Sequence, residues 1–90
     1  MRHELKTLPE FFSRVWDGEK PFEIRKHDRD FQGGDTLILV ESRGYNTTGR
    51  EIDAEVKYIL PHHLFPEGIP EGYCVMTISV FDRREAKREE

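Results

Sequence analysis

The chain is short of cysteine, of surplus positive charge and of long apolar runs, and each shortage removes a class of protein. Its 90 residues contain one cysteine, Cys74, so no disulfide can form within the chain. A lone thiol fits a reducing compartment. Cys74 sits inside an alternating apolar run with no base or cation beside it, the setting of a buried, inert thiol rather than a nucleophile. No run approaches the ~20 apolar residues that cross a bilayer, and residues 1–6 lack the apolar stretch of a secretory leader. The expectation is a soluble, cytoplasmic protein with no membrane partner, for which the acceptor pattern Asn46-Thr47-Thr48 carries no weight. Formal net charge is -4, which argues against strong non-specific binding to a phosphate backbone and confines any nucleic-acid surface to a local patch. The final residues, 82–90, carry four basic and four acidic side chains and leave that balance unchanged.

Signature motifs are missing too. No phosphate-cradling glycine loop and no strand-to-helix nucleophile turn is present, so neither nucleotide binding through such a loop nor a serine-elbow hydrolase is expected. His62 and His63 are adjacent, and neighbours on an extended chain point to opposite sides. Without cysteine pairs or zinc-type histidine spacing, neither a metal nor another cofactor is expected.

What is present reads as one domain with one core, since a chain of this size cannot fill two. No repeat, linker or low-complexity segment divides it. Residues 3–7 alternate weakly, with His3, Leu5 and Thr7 on one face. Thr7-Leu8-Pro9-Glu10 has the form of a capping box, and Pro9 is tolerated in a first helical turn. Leu8, Phe12, Val15 and Trp16 follow at helical spacing, and Gly18 supplies the stop, predicting a short helix over 8–17. Trp16 belongs to this stripe and reads as core rather than as a base-stacking platform.

After Pro21 the period changes to two. Phe22 and Ile24 share one side and Glu23 and Arg25 the other, which predicts a half-buried strand with a solvated charged face. Gln32-Gly33-Gly34-Asp35 reads as a tight turn, and residues 36–40 as a buried strand. Residues 43–50 read as a polar loop and 51–60 as the most regular alternating strand. Residues 61–72 form a turn-rich connection, 73–81 the last strand, and 82–90 a charged tail beyond the domain of residues 1–81. The predicted fold is mostly β with one N-terminal α-helix, arranged as a small, mainly antiparallel barrel whose helix closes one side. A five-stranded open sheet is the competing architecture.

The stretch with the most chemistry is Gly18 to Arg25. Lys20, Glu23 and Arg25 lie within six residues, combining a point charge, a carboxylate acceptor and a planar guanidinium fork. Such a group can hold an anion, a polar base edge or a carbonyl oxygen. The plainer alternative is an exposed Glu–Arg pair that adds little stability. Lys26-His27-Asp28-Arg29-Asp30 extends the charged segment as a cleft rim or as an exposed loop.

The ordered set His3 to Phe12, Gly18-x-Lys20-x-x-Glu23-Ile24-Arg25-Lys26, Asp28 to Gln32 and Gly34-Asp35-Thr36-Leu37 resembles a small bacterial and phage branch of the ASCH-related family. Thr48-Gly49-Arg50, Tyr58-Ile59 and Glu71 to Met76 continue the match. The resemblance implies a PUA-like β-barrel and RNA binding in a cleft lined by Lys20, Glu23 and Arg25, with Gly34-Asp35 as a structural barrel turn. One ASCH-type group is an amidohydrolase on a modified cytidine that uses Lys, Thr and Glu. Its Lys corresponds to Lys20, whereas Glu23 stands where that group has the Thr nucleophile.

Two functions follow as expectations. The first is a monomeric module binding RNA or a modified nucleoside through Lys20, Glu23, Arg25, Lys26 and Arg29, with Tyr73 as a further donor at the cleft edge. The alternative is a small hydrolase on a modified nucleoside, with Lys20 stabilising an oxyanion and Glu23 activating water. The missing nucleophile favours the binding module. Tyr45, at the tip of the long loop, is a candidate contact for a protein partner.

Overall fold

The computed structural model describes residues 1–86 of the chain. Five strands and one helix account for most of them: β1 (Arg2–Thr7), α1 (Pro9–Trp16), β2 (Phe22–Lys26), β3 (Thr36–Arg43), β4 (Asn46–Pro61) and β5 (Tyr73–Arg84). All five strands join one sheet in the order β1-β3-β4-β5-β2. Only β1 and β3 run parallel; the other three pairings are antiparallel. The sheet curls into a half-barrel that stays open between its two edge strands, β1 and β2. It therefore stands between the predicted barrel and the open sheet, with the predicted composition of strands and helix.

The inner face holds the core. Leu5, Leu37, Leu39, Ile52, Ala54, Val56, Cys74, Met76 and Ile78 point inward from four strands, and Phe12 and Val15 press down from α1. These are the alternate residues that a period of two assigns to one face. His3, Leu5 and Thr7 are buried together as their alternation predicts. The 36–40 run is buried on both faces, and β3 is the neighbour of both β1 and β4.

Gly18, at φ +83°, stops α1 as expected. The capping box, however, does not form. Leu8 is the N-cap residue and no side chain caps the helix. Thr7 is buried on β1 and is engaged elsewhere, as described below. Leu8, predicted in the core stripe, is exposed.

The predicted 43–50 loop is instead the far end of a long hairpin. Arg43 pairs with Asn46 and Ser42 with Thr47 across the two-residue turn Gly44-Tyr45. Gly44 has φ +74°, which suits the first central position of a II′-type turn. The polar composition reflects a ribbon that extends past the core, in a molecule 50 Å long and about half as wide. At the other end β5 runs to Arg84, three residues beyond its predicted limit, because Glu51, Asp53 and Asp82 all bind the Arg84 guanidinium. The remainder of the predicted tail, residues 87–90, lies outside the described residues.

Candidate functional site

β2 is inside out relative to expectation. Phe22 and Ile24 are 38% and 55% exposed, while Glu23 is 2% exposed. In register, Glu23 lies opposite Met76 and Arg25 opposite Cys74, so the charged pair shares the face of the core. The exposed Glu–Arg pair is therefore excluded. A buried carboxylate is tolerable only when paired and hydrogen-bonded, and Glu23 is both. Oε1 accepts from Lys20 Nζ at 3.0 Å and Oε2 from Arg25 Nε at 2.8 Å.

Each cation is held by a second anchor. The turn after Gly18 brings Lys20 N–H to the Arg14 carbonyl at 3.0 Å, fixing where the side chain starts. Its ammonium also donates to the Phe22 carbonyl at 2.8 Å and lies 4.9 Å from the Phe22 ring centre. Arg25 reaches across the gap in the half-barrel. Nη1 donates to the Lys6 carbonyl at 3.0 Å and Nη2 to Thr7 Oγ1 at 2.9 Å. Further along, Arg29 Nη1 donates to the Glu4 carbonyl at 3.1 Å. Side chains thus make the bonds between β1 and β2 that a closed barrel would make with its backbone.

Two cavities open along this seam. The first, about 280 Å³, is walled by Thr7, Leu8, Phe11 and Ile24, with Lys20 and Glu23 also lining it. The second, about 420 Å³, is lined by Glu4, Lys26, Asp28, Arg29 and Phe31. Lys6 and Arg25 line both. The structure therefore brings together Lys20, Glu23, Arg25, Lys26 and Arg29. Tyr73 is the exception. It is the β5 partner of Lys26, has the opposite parity to Cys74, and lines neither cavity.

Sequence reasoning missed Lys6, Thr7, Phe11 and Ile24 as cavity residues. Phe11 carried a usable signal, being a large aromatic on a helix but off its apolar stripe. The other three acquire their roles only because β1 and β2 meet.

Other polar clusters are structural. Asp35 accepts from His3 Nε2 at 2.8 Å, Gln32 N–H at 2.9 Å and the Met1 amino group at 3.0 Å. The hydrogen bonds from His3 and from Gln32 N–H hold its carboxyl at about pKa 2. This ties β1 to the predicted 32–35 turn. His62 Nδ1 bonds the Ile69 carbonyl at 2.6 Å and steadies the 61–72 connection. Among the described residues no group of three or more His, Cys, Asp or Glu is placed to hold a metal ion, and no helix is long and apolar enough to cross a membrane. Cys74 is fully buried, and burial, followed by the charge of Asp28, raises its thiol pKa. Its burial is the one its alternating apolar run predicted.

The chain belongs to the DUF3850 family, a domain of unknown function whose family model matches residues 2–78. It is 35% identical over 90 residues to an uncharacterised 12.9 kDa protein in the GpA 3′ region of Escherichia phage P2, covering 88% of this chain and 83% of that one. Its fold is similar to the crystal structure of hypothetical protein PH0355, with a TM-score of 0.60 and 17% identity over 90% of this chain and all of that one. At that identity the likeness concerns the fold alone.

Proposed function

We propose that this DUF3850 chain is a binding module for RNA or a modified nucleoside, which takes a nucleobase into the cavity between Phe11, Ile24 and Glu23. The observation that carries the reading is a buried carboxylate flanked by two cations in an apolar-walled cavity. A nucleobase has matching chemistry. Its faces are apolar and stack on side chains, and its edge presents amines and carbonyl oxygens. Each Glu23 oxygen accepts one protein hydrogen bond and keeps acceptor capacity for an exocyclic amine. Lys20 and the second N–H of each Arg25 terminal nitrogen can meet a carbonyl oxygen. The resemblance to ASCH-type, PUA-like domains supports the same cleft.

Binding fits these groups better than hydrolysis. Both Glu23 oxygens are held by cations, and the nearby Thr7 hydroxyl accepts from Arg25 rather than pairing with a base. The test is an amide NMR titration with short single-stranded RNA, then with cytidine and acetylated cytidine. Shifts should cluster at Phe11, Lys20, Glu23 and Arg25, and Lys20→Ala should weaken them without unfolding the chain. A deacetylated product signal would move the reading to the enzyme. No shift with any of these ligands would remove the base cavity.

A further inference from the structure

We infer that the second seam cavity holds the phosphate of the ligand, so that the cleft takes a nucleotide unit rather than a free base or nucleoside. This rests on the base cavity proposed above and assigns its neighbour. The argument begins with unspent charge. Among the described residues, seven Lys and Arg side chains form salt bridges to carboxylates. Arg2, Lys6, Lys26, Arg29 and Arg83 do not. Three of these five, Lys6, Lys26 and Arg29, line one cavity. In a chain of net charge -4, that concentration of unpaired cations marks a place for an anion.

Glu4 and Asp28 line the same cavity, but neither forms an ion pair among the described residues, and the three unpaired cations outnumber these two carboxylates. Glu4 contributes its carbonyl to Arg29 Nη1. That single bond orients the guanidinium and leaves Nε and Nη2 without a protein partner among the described residues. A fork held at one corner suits bidentate contact with phosphate oxygens. A phosphate monoester, carrying a charge of about -1.5 to -2 at neutral pH, would offset much of the local excess.

Lys6 and Arg25 line both cavities, so the two are immediate neighbours. One is apolar-walled around a carboxylate, and the other is cationic. A ring in the first and an anion in the second can therefore belong to one molecule. Free nucleotides and single-stranded RNA share this chemistry.

The experiment is a calorimetric and NMR titration of the full chain with cytidine, cytidine monophosphate, inorganic phosphate and a short single-stranded RNA, repeated on the double variant Lys26→Ala/Arg29→Ala. The monophosphate should bind about tenfold more tightly than cytidine at low salt, the scale of one or two charged hydrogen bonds. In the double variant that advantage should fall below about threefold while cytidine binding is unchanged. Tighter binding of the strand than of the monophosphate would identify RNA as the source of the phosphate, and the reverse a free nucleotide. Equal affinity of the unmodified chain for cytidine and its monophosphate would overturn the phosphate cavity and leave the base cavity standing. Phosphate shifts at Lys26 and Arg29 without ring-induced shifts at Phe11 and Ile24 would support the anion site and remove the base reading.

Discussion

The seam between β1 and β2 and the clamp around Arg84 are both arginine–carboxylate networks, yet they are built on opposite terms. At the clamp, one guanidinium meets three carboxylates: Asp53 through both of its oxygens at 2.9 Å, Glu51 at 2.7 Å and Asp82 at 2.9 Å. The strands beneath it, β4 and β5, are already paired through their backbones. At the seam, two cations meet one carboxylate, and the strands they join share no ladder. The clamp decorates a completed pairing and leaves surplus negative charge. The seam substitutes for a missing pairing and leaves surplus positive charge around open space. Local sign and open volume, rather than the number of ion pairs, separate a candidate binding site from a structural network in this molecule.

The sharpest way to break the comparison is Glu23→Ala. Removing the carboxylate that Lys20 and Arg25 share strands both cations, and unfolding in urea should show a loss of about 3 kcal/mol. A loss below about 1 kcal/mol would mean that Lys20 and Arg25 relax into solvent, and the seam would then resemble an ordinary surface network. Arg84→Ala should cost less, about 1–2 kcal/mol by the same measurement, because its guanidinium is half-exposed and the β4–β5 ladder remains.

Ligand binding should divide the two regions in the other direction. Lys20→Ala should weaken RNA or nucleotide affinity about tenfold, equivalent to about 1.4 kcal/mol, whereas Arg84→Ala should leave it unchanged. A comparable loss in both variants would show that the whole surface field, not the seam, attracts the ligand.

Acid provides a gentler test. Asp35 is depressed to about pKa 2 by His3 and the Gln32 N–H, and Asp53 is lowered by Arg84. A carboxylate with a lowered folded-state pKa stabilises the fold at pH values above its unfolded pKa of 3.8. That contribution should disappear as pH falls from about 4 toward 2. Denaturation midpoints should follow this slope, and Asp35→Asn should flatten it. The smallest effect is expected at the hairpin tip: Tyr45 is fully exposed, and Tyr45→Ala should change stability by less than about 0.5 kcal/mol.

The chain's local patterns made much of the fold legible. The 3–7 alternation, the Phe12–Val15–Trp16 stripe, the Gly18 stop, the 32–35 turn and the alternating strands of 51–60 and 73–81 are all recognisable in the structure. Each depends on neighbours a few residues apart. Two local signals misled because a tertiary partner competed for the same residues. Thr7 had the right chemistry to cap α1, but Arg25 takes its hydroxyl. Residues 43–50 had the composition of a loop, but strand pairing continues through them to Gly44-Tyr45.

For the candidate site, the spacing of Lys20, Glu23 and Arg25 identified three side chains with compatible chemistry. Strand periodicity could place Glu23 and Arg25 together on one side of β2 and Phe22 and Ile24 on the other. It could not say which side faces inward, because a period of two is the same pattern viewed from either face. That choice was made by the curl of the sheet, which brings β1 to within reach of Arg25 and Arg29. The charged face of β2 could turn inward only where Lys20 and the backbone carbonyls and hydroxyl of β1 were waiting to satisfy it; the Lys20 contact is three residues away and legible in the sequence, whereas the β1 contacts of Arg25 lie 18 and 19 residues away and are not.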